Sequence, residues 1–452
     1  MIDEQKPSVA HGDGIESYLV EPGSSLAGEI TVPGDKSISH RSLMFGAIAD
    51  GITEIDGLLA SEDCLATAAA LTAMGAKIEA PETPGDCWRV HGVGLRGLKR
   101  PPGDLDLGNS GTSMRLLTGL LCAQGFSSTL VGDSSLMTRP MERVAVPLRQ
   151  MGARIKTSDG RPPVMIERSQ GLVGIDYQAP VASAQIKSAI LLAGLYAKGV
   201  TRVTEPGVSR DHTERMLASF GVTVVRKGMS VEIEAPGALK AHRIAVPGDL
   251  SSAAFFIVGA CLTSDKGVTL RSVGVNPTRT GVIEILRKMG AKIDVATAPT
   301  AKGGEPVADI RIAKSRLKGI NIDASDVALA IDEFPVLMVA AACAEGVTRV
   351  SGAEELRVKE SDRIRTVVDG LMALGAKVEE KPDGMIVTGG PLNGGEVDSH
   401  GDHRIAMAFT IAALMAGGPV RILNTRNVAT SFPGFAEHGA RLGMTINKET
   451  IS

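Results

Sequence analysis

The phrase "LTAMGAKI" at residues 71–78 returns almost unchanged as "LRKMGAKI" at residues 286–293. In both copies, a stretch with the helical spacing of apolar residues runs into a glycine and then into residues that favour strands. This pattern indicates a helix with a glycine just past its end and a β-strand directly after it. Four further copies recur at a period of roughly 70 to 85 residues, and the six helix-end glycines are Gly75, Gly152, Gly221, Gly290, Gly375 and Gly443.

A second kind of segment alternates with these phrases. Six strongly apolar runs end near glycine, among them "SAILLAGLYAKG" (188–199) and "PVLMVAAACAEG" (335–346), and a short strand-like run follows each of them. The repeating unit is therefore strand, buried helix, strand, amphipathic helix and one or two further strands. Such an α/β unit cannot bury both helix faces alone, so we predict that the copies pack together.

The chain is also duplicated at a higher level. "ITVPGDKS" (30–37) returns as "IAVPGDLS" (244–251), and the helix-end glycines pair across the same offset. The duplication predicts two α/β domains of three units each, with a hinge near the two "PGD" turns. A continuous solenoid is the alternative, but it requires distinct capping repeats, and the sequence shows none.

The composition is that of an ordinary globular protein and argues against several classes. The net charge is only −3 and aromatic residues make up 3% of the chain, which does not suit a surface that binds nucleic acid through charge or base stacking. The apolar runs are shorter than the ~20 residues of a membrane span, and the polar N-terminus does not resemble a signal peptide. We expect a cytoplasmic protein without nucleic-acid or membrane partners.

Cysteine and histidine give no sign of a disulfide framework or of a metal centre. The five cysteines are scattered, odd in number and without a C-x-x-C pair, which is typical of free thiols in a reducing compartment. His212 and His403 have no partners at metal-ligand spacing. We expect neither disulfides nor a catalytic metal.

Charged segments stand in front of the predicted helices, for example "DKSISHR" (35–41), "GNSGTSMR" (108–115) and "GDHR" (401–404). Helix N-termini attract anions, and Ser, Thr, Asp or Asn there are usually plain caps. Basic residues are disfavoured by the helix dipole, so their repetition suggests a cleft between two facing domains that binds a substrate with several negative charges. These basic residues are Lys36, Arg41, Arg115, Arg139, Lys187, Arg210, Lys359, Arg363 and Arg404.

Carboxylates within the same segments are candidates for proton transfer. Asp332 and Glu333 precede a very apolar helix, where we expect partial desolvation to raise the pKa of Asp332. Glu360 lies between Lys359 and Arg363, which favour its ionised form, and a carboxylate beside a lysine in a closed cleft is typical of proton-transfer sites. The structural alternatives are a helix cap for Asp332 and a surface ion pair for Glu360.

Seven motifs, in this order, resemble the signature segments of the 5-enolpyruvylshikimate-3-phosphate synthase family: "DKSISHRSL", "GNSGTSMRL", "TRPM", "SAQIKSAILLAGL", "DEFP", "RVKESDR" and "GDHRIAM". The resemblance runs from about residue 26 to the C-terminus. Three segments, "SAQ", "EELRVKESDR" and "ATSFPGF", are similar to the divergent bacterial subgroup called class II.

The resemblance implies the enolpyruvyl transferase fold, which is a two-domain inside-out α/β barrel with six βαβαββ repeats, three per domain. It also implies a discontinuous domain 1 formed by residues 1–34 and 247–452, and a domain 2 formed by residues 35–246. The hinge is expected near residues 32–36 and 245–249.

The activity implied by the resemblance is that of 3-phosphoshikimate 1-carboxyvinyltransferase (EC 2.5.1.19), in the shikimate pathway to chorismate and the aromatic amino acids. The enolpyruvyl group of phosphoenolpyruvate moves to the 5-hydroxyl of shikimate 3-phosphate and phosphate is released, by addition and elimination through a tetrahedral intermediate. No cofactor, metal or covalent enzyme adduct is expected. The enzyme is expected to be a monomer, and glyphosate is a possible inhibitor.

The resemblance also implies site residues. Shikimate 3-phosphate would be bound by Lys36, Ser37, Arg41, Ser183, Ala184, Gln185, Arg210, Asp332 and Lys359. Phosphoenolpyruvate would be bound by Lys36, Gly111, Thr112, Arg139, Gln185, Arg363 and Arg404. The catalytic residues would be Asp332, which takes the proton of the 5-hydroxyl, Glu360, which protonates the methylene carbon, and Lys36. How the proton transfers divide among these three stays open.

The chain departs from the commonest family pattern at several positions. Thr430 stands where many members have a lysine, so one cation is missing at the phosphoenolpyruvate end. Glu355 replaces an asparagine that contacts the first phosphate. Gly111 favours sensitivity to glyphosate, whereas Leu116, at a position where many members have proline, favours tolerance.

Two alternatives to this function remain at the level of sequence. The related enolpyruvyl transferase that acts on UDP-N-acetylglucosamine typically has a reactive cysteine before the arginine that matches Arg139, and "GDSSLMTRP" (132–140) contains none. A non-catalytic repeat scaffold would account for the repeats, but not for the charged residues that gather in front of apolar helices.

Overall fold

The computed structural model describes residues 14–83, 86–297 and 304–451. These residues contain thirteen α-helices: α1 (Lys36–Ile48), α2 (Glu62–Ala73), α3 (Gly111–Leu121), α4 (Glu142–Gln150), α5 (Ala184–Gly194), α6 (His212–Ser219), α7 (Leu250–Thr263), α8 (Gly281–Lys288), α9 (Ala324–Ala330), α10 (Phe334–Ala342), α11 (Arg363–Ala373), α12 (His403–Ala413) and α13 (Phe435–Arg441). Short 3₁₀ helices lie at Leu136–Thr138, Ile331–Glu333, Glu354–Val358 and Thr425–Thr430.

The same residues contain twenty-six strands. The first thirteen are β1 (Ile15–Val20), β2 (Gly28–Ile30), β3 (Ile52–Asp56), β4 (Lys77–Glu79), β5 (Trp88–His91), β6 (Leu105–Asp106), β7 (Ser128–Val131), β8 (Arg154–Ser158), β9 (Arg161–Glu167), β10 (Leu172–Val173), β11 (Asp176–Gln178), β12 (Ala197–Lys198) and β13 (Thr201–Thr204). The others are β14 (Val224–Lys227), β15 (Ser230–Ile233), β16 (Ile244–Ala245), β17 (Val268–Gly274), β18 (Lys292–Thr297), β19 (Val307–Ala313), β20 (Asn321–Ile322), β21 (Val347–Val350), β22 (Lys377–Lys381), β23 (Gly384–Thr388), β24 (Gly395–Asp398), β25 (Val420–Leu423) and β26 (Ile446–Ile451).

Six four-stranded sheets in the described part of the chain share one topology. Each has a parallel pair at one edge and two antiparallel pairs after it. The strand orders are β16-β3-β5-β4, β6-β7-β9-β8, β11-β13-β15-β14, β2-β17-β19-β18, β20-β21-β23-β22 and β24-β25-β1-β26. The six repeats predicted from the sequence are therefore confirmed.

Strands from distant parts of the chain complete three of these sheets. The N-terminal strand β1 lies between β25 and β26, which are the last strands of the chain. Strand β2 pairs with β17, and β16 pairs with β3. The sixth unit therefore takes its fourth strand from the beginning of the chain.

The two helices of each unit are buried to different degrees. All fourteen residues of α7 and all nine of α10 are buried, whereas the amphipathic α8 keeps an exposed charged face. A helix that is apolar on every side belongs inside a protein. Packing between α3 and α5 and between α10 and α12 places the apolar helices inside and the sheets outside, as the inside-out barrel requires.

The buried residues form two separate hydrophobic cores. The first core contains apolar side chains between residues 38 and 246. The second core contains apolar side chains of residues 18–32 and 250–444. The chain passes between these cores twice, at residues 33–35 and 247–249, which we call the crossover segments.

The crossover segments lie side by side. Gly34 and Gly248 form an antiparallel bridge, and the Asp35 and Asp249 amides each donate to a carbonyl of the opposite segment at 2.8 Å. A Cβ on Gly34 would lie 1.9 Å from the carbonyl oxygen of Gly57, so only glycine fits this close approach. The side chains of Asp35 and Asp249 cap α1 and α7.

The six helix-end glycines all have left-handed backbones, with φ between +78° and +100°. At Gly290 the amide donates to the carbonyl of Arg287, and the next amide, that of Ala291, donates to the carbonyl of Leu286, both at 2.9 Å. The other five helices end with the same two bonds, which define the Schellman motif. The glycine prediction made from the sequence is confirmed.

Replacing Gly290 with alanine is expected to lower the free energy of unfolding by about 1 to 2 kcal/mol, because a left-handed backbone costs an L-residue roughly that amount. The added Cβ would lie 3.5 Å from the carbonyl oxygen of Arg316, so no clash adds to this cost. Urea denaturation measures the change. Gly103→Ala is the control, since its Cβ would meet nothing within 4 Å and its φ is not left-handed; equal losses in both variants would contradict the prediction.

Candidate active site

The predicted site residues lie at or just before the N-terminal ends of helices, between the two cores. Lys36, Ser37 and Arg41 lie in the first turns of α1, Gly111 and Thr112 begin α3, and Ser183, Ala184 and Gln185 begin α5. Arg139 follows a 3₁₀ turn and Arg210 precedes α6. From the second core come Asp332, Lys359, Glu360, Arg363 and Arg404, which stand at the starts of α10, α11 and α12.

The front of α1 supplies two cations in different surroundings. The Lys36 ammonium forms an ion pair with the buried carboxylate of Asp63, at the start of α2. The Arg41 guanidinium is buried and donates to the hydroxyls of Thr213 at 2.6 Å and Ser188 at 2.8 Å. Burial lowers the pKa of Arg41 to about 10, so the group is still charged at neutral pH.

The starts of α3 and α5 meet through Gln185. Its amide nitrogen donates to the Thr112 hydroxyl at 3.1 Å, and its oxygen accepts from Arg115 at 2.5 Å. A Cβ on Gly111 would lie 3.0 Å from Nη1 of Arg139 and 3.2 Å from Nη1 of Arg115. A larger residue at position 111 would therefore displace at least one of two arginines.

Ser183 caps α5, and its surroundings fix the loop before that helix. Its hydroxyl accepts from the Ile186 amide at 3.4 Å, while its own amide donates to the Glu205 carboxylate at 2.8 Å. Glu205 is buried and also binds the ammonium of Lys187 at 2.7 Å. Lys187, one of the predicted cations of the cleft, is thus neutralised in a buried ion pair with Glu205.

Asp332 is surrounded by arginines from both sides of the cleft. Its carboxylate binds Arg210 and lies 3.5 Å from Nη1 of Arg363, and its backbone oxygen accepts from Arg404 at 2.9 Å. Burial raises the pKa of Asp332, but the positive charges around it lower the pKa more and hold it well below the usual range. The prediction of a raised pKa is wrong, because it considered the apolar helix that follows and could not include cations brought in by the fold.

Glu360 joins the two sides of the cleft. Its carboxylate lies 2.7 Å from Nη2 of Arg363 and 3.3 Å from Nη1 of Arg139, which belongs to the first core. Burial raises the pKa of Glu360, but these two arginines lower it more, to well below its usual range. The prediction that its neighbours favour the ionised form is confirmed.

The acid stability of the protein is expected to depend on Glu360. Because its pKa in the fold lies below the ordinary value of 4.5, its stabilisation is fully present above pH 4.5 and is lost as the pH falls toward the folded value. In that window the unfolding free energy of the wild type is expected to fall more steeply than that of Glu360→Gln, by up to about 1.4 kcal/mol per pH unit. Urea denaturation at a series of pH values measures both slopes, and parallel slopes would contradict the prediction.

Asp402 is a charged residue of the candidate site that the sequence analysis did not identify. It is fully buried, accepts from Nε of Arg363 at 2.8 Å and caps α12 through the Arg404 amide at 2.9 Å. Burial raises the pKa of Asp402, but the positive charge of Arg363 opposes this effect, and the pKa lies below its usual value. Beside it, burial lowers the pKa of His403 to about 3, so that ring is neutral. The signal was the aspartate of "GDHR", which looks like a plain helix cap.

Three other side chains were assigned no substrate contact, although Arg115 was counted among the basic residues of the cleft and Glu333 among the candidate carboxylates. Asp63 pairs with Lys36, Arg115 holds Gln185, and Glu333 lies buried next to Asp332. Glu333 is adjacent to Asp332 in the sequence, whereas the other two contacts join residues that are far apart in it. Sequence spacing alone carries no information about the other two.

Both departures from the family pattern have defined surroundings. The Thr430 hydroxyl donates to the Asn427 carbonyl at 2.7 Å, so it contributes no charge. The Glu355 carboxylate forms an ion pair with Arg143 of the first core, at 2.8 Å. Lys359, four residues later, is half-buried; burial lowers its pKa, whereas Asp332 and Glu355 raise it.

Other predictions concern groups outside the cleft. The five cysteines are unpaired, as predicted. Among residues 14–83, 86–297 and 304–451, no cluster of His, Cys, Asp and Glu has the arrangement of a metal site. No helix in these ranges is both long and apolar enough to span a membrane.

The two cores, each with three repeated units, meet at a cluster of arginines, lysines and carboxylates, which is the kind of site found in two-domain enzymes that act on anionic substrates. The EPSP synthase (3-phosphoshikimate 1-carboxyvinyltransferase) family model matches residues 20–438. The chain belongs to the EPSP synthase family. It therefore has 3-phosphoshikimate 1-carboxyvinyltransferase activity, and the activity predicted from the motifs is confirmed.

Individual relatives agree with this family. The chain is 60% identical to the 3-phosphoshikimate 1-carboxyvinyltransferase of Methylococcus capsulatus over 95% of this chain and 98% of the relative, and 57% identical to that of Acidithiobacillus ferrooxidans over the same shares. A solved structure of EPSP synthase from Acinetobacter baumannii superposes with a TM-score of 0.86 at 53% identity, over 96% of this chain and 100% of that chain. The scaffold and the UDP-N-acetylglucosamine alternatives are therefore set aside.

Proposed function

We propose that shikimate 3-phosphate and phosphoenolpyruvate bind together in this cleft, and that Asp332 and Glu360 move the protons while the enolpyruvyl group is transferred to the 5-hydroxyl. The observation that carries the proposal is the position of these two carboxylates. Each is bound by arginines from both sides of the cleft, so an anionic substrate entering the cleft meets charges and proton carriers at the same point.

Shikimate 3-phosphate lies against the first core in this proposal. Lys36 and Ser37, at the start of α1, and the loop before α5 present charge and amide groups to its phosphate. Arg41 also contributes charge, and its bond of 2.8 Å to the Ser37 carbonyl supports a second role in orienting that residue. The remaining contacts come from Ser183, Ala184, Gln185, Arg210, Asp332 and Lys359.

Phosphoenolpyruvate lies deeper, among the arginines. Arg139, Arg363 and Arg404 bind its phosphate and carboxylate, since planar guanidinium groups match both anions. Backbone amides at Gly111 and Thr112 approach it closely, and Lys36 and Gln185 contact both substrates. Arg139 and Arg363 bind Glu360 in this structure, so binding of phosphoenolpyruvate replaces one anionic partner with another.

That exchange supplies the acid for the reaction. When phosphoenolpyruvate takes over the two arginines, its negative charge raises the pKa of Glu360, which gains a proton. Asp332 then takes the proton of the 5-hydroxyl as its oxygen attacks C2, while Glu360 protonates C3. In the tetrahedral intermediate C3 returns a proton to the Glu360 carboxylate, and the electrons of that C–H bond form the double bond between C2 and C3. The bond from C2 to the phosphate oxygen breaks at the same time, so phosphate leaves with its electron pair next to Lys36. The fixed cations stabilise the developing charge without reorganisation.

The proposal includes the domain bounds and the closure of the cleft. Domain 1 comprises residues 1–34 and 247–452, domain 2 comprises residues 35–246, and the hinge lies near residues 32–36 and 245–249. The separate cores and the paired crossover segments support these bounds. Closure about this hinge excludes water and aligns the substrates. We propose a cytoplasmic monomer.

Phosphate release from phosphoenolpyruvate tests the proposal. The reaction is run with shikimate 3-phosphate in EDTA, and a parallel reaction contains UDP-N-acetylglucosamine instead. We expect phosphate only with the shikimate substrate, with no loss in EDTA. Phosphate only with the nucleotide sugar, or no phosphate from folded protein in either reaction, would overturn it.

Gly111→Ala is expected to weaken inhibition by glyphosate by about 10-fold or more, since overpacking costs roughly 1 to 3 kcal/mol. The added methyl would lie 3.0 Å from Arg139, a residue of the phosphoenolpyruvate subsite to which we assign the inhibitor. The KM for phosphoenolpyruvate is expected to rise in parallel. Inhibition curves at fixed shikimate 3-phosphate measure the effect, with Gly125→Ala as control, since its Cβ would meet nothing within 4 Å; an unchanged inhibition constant would refute the prediction.

A further inference from the structure

Arg279 belongs to "NPTRTG" (276–281), a basic segment in front of α8 to which the reaction assigns no role. Its side chain is only 4% exposed. One nitrogen, Nη1, binds the carboxylate of Asp35, and the other, Nη2, lies 3.2 Å from the carboxylate of Asp249. Arg279 therefore binds both crossover segments at once.

These two aspartates position the helices that follow them. Asp35 accepts from the Ile38 amide at 2.9 Å, and Asp249 accepts from the Ser251 amide at 2.8 Å. Asp249 also accepts from the Lys36 amide at 3.1 Å. The guanidinium thus fixes the start of α1, which carries Lys36 into the cleft.

Nη2 of Arg279 also contacts residues on its own side of the cleft, next to the second core. It donates to the Ser251 hydroxyl at 2.5 Å, and that hydroxyl donates to the buried carboxylate of Glu333. The distance from Nη2 to the Glu333 carboxylate is 3.8 Å. Glu333 is the next residue after Asp332 in the same 3₁₀ turn, so this chain of contacts ends beside the proposed base.

The same segment holds the partner of Asp332 as well. The side-chain nitrogen of Asn276, Nδ2, donates to the carboxylates of Asp211 at 2.7 Å and of Glu305 at 2.9 Å. Asp211 directly follows Arg210, whose guanidinium binds Asp332. Both members of the Arg210–Asp332 pair are therefore connected to residues 276–279, one through Asn276 and the other through Arg279.

We propose that Arg279 is a positioning residue of the reaction, which keeps Asp332 in register with the start of α1 at the crossover segments. The inference rests on the proposed role of Asp332. Arg279 touches neither substrate in this proposal and acts only through Ser251, Glu333 and the two aspartates.

An ammonium group cannot replace this guanidinium. The partners of Arg279 lie in different directions and use both terminal nitrogens, whereas lysine offers a single charged centre. A lysine can neutralise Asp35 and Asp249, but it leaves the Ser251–Glu333 pair without its support. The Lys variant therefore separates charge balance from positioning.

The test compares Arg279→Lys and Ser251→Ala with Arg316→Lys, a control at an exposed arginine that pairs with Glu345. We measure kcat, both KM values and Tm. We expect kcat to fall by about tenfold or more in the first two variants, since small displacements of reacting groups are costly, and KM for shikimate 3-phosphate to rise. KM for phosphoenolpyruvate is expected to rise less, because Arg139 and Arg363 are held by other contacts. The control variant is expected to keep the wild-type kcat and both wild-type KM values.

Ser251→Ala keeps the Arg279 pairs with Asp35 and Asp249, so its activity reports positioning even if Arg279→Lys folds poorly. Wild-type kcat and KM in Ser251→Ala, or a loss in both variants that follows Tm with equal effects on both KM values, would overturn the proposal. Asp332→Asn separates the two hypotheses. If that variant is active, the proposed function fails; if it is inactive while Ser251→Ala is fully active, only the role of Arg279 fails.

Discussion

Asp332→Asn is expected to lower kcat by about 10³-fold, the order of magnitude that a positioned general base contributes. Asparagine has nearly the same size as aspartate and can still accept a hydrogen bond from Arg210. It cannot take the proton of the attacking hydroxyl. Steady-state phosphate release at saturating concentrations of both substrates measures the change.

The size of this effect can be separated from damage to the fold. Asp326→Asn is a matched control. Asp326 lies on α9, just before the 3₁₀ turn Ile331–Glu333 that contains Asp332, and it binds Lys288 at the surface. We expect the control to keep wild-type kcat. A loss of less than tenfold in Asp332→Asn, with normal Tm, would remove Asp332 from the role of base.

Arg363→Met is expected to lower the free energy of unfolding by about 3 to 5 kcal/mol, because it leaves the buried carboxylate of Asp402 without its counterion and removes one of the two arginines that bind Glu360. Arg363 is 1% exposed and binds Asp402, which is fully buried, together with Glu360. Activity is expected to fall below detection, since the same group binds phosphoenolpyruvate in the function proposed above. Urea denaturation and phosphate release measure the two effects.

A second substitution tests the cause of this instability. In Arg363→Met with Asp402→Asn, the most deeply buried of the unpaired charges is gone, so we expect part of the stability to return while activity stays absent. Arg363→Lys is expected to retain more stability than Arg363→Met, but with poor activity, because lysine lacks the fork that binds two anions. If the double variant were no more stable than Arg363→Met, the unpaired carboxylate would not be the cause.

Much of the fold could be predicted from the sequence because its signals are local. The left-handed backbone of a helix-end glycine such as Gly290 depends only on the residues of its own turn. Six copies of this local pattern therefore predict six repeated units. The strands that complete the sheets could not be found in this way. Strand β16 has two residues, and β1 pairs with strands more than four hundred residues away; no local pattern encodes such partners.

The charged residues of the site could be predicted from the sequence, but the contacts among them, which set their pKa values, could not. Basic residues in front of helices stand out because the helix dipole disfavours them. The pKa of Asp332 was mispredicted because it depends on Arg210 and Arg404, which come from opposite sides of the cleft. Asp402 was overlooked because a buried counterion for Arg363 and an ordinary helix cap look the same in sequence.

The place of β1 between β25 and β26 has a consequence for the order in which a nascent chain folds. Residues 35–246 contain every strand of their own sheets, including β16, so this part can fold once residue 246 has left the ribosome. Strand β1 is synthesised before residues 35–246, whereas both of its partners are synthesised after them. Residues 420–451 must therefore be synthesised before the other part can close its sixth unit, and β1 has no strand to pair with until then.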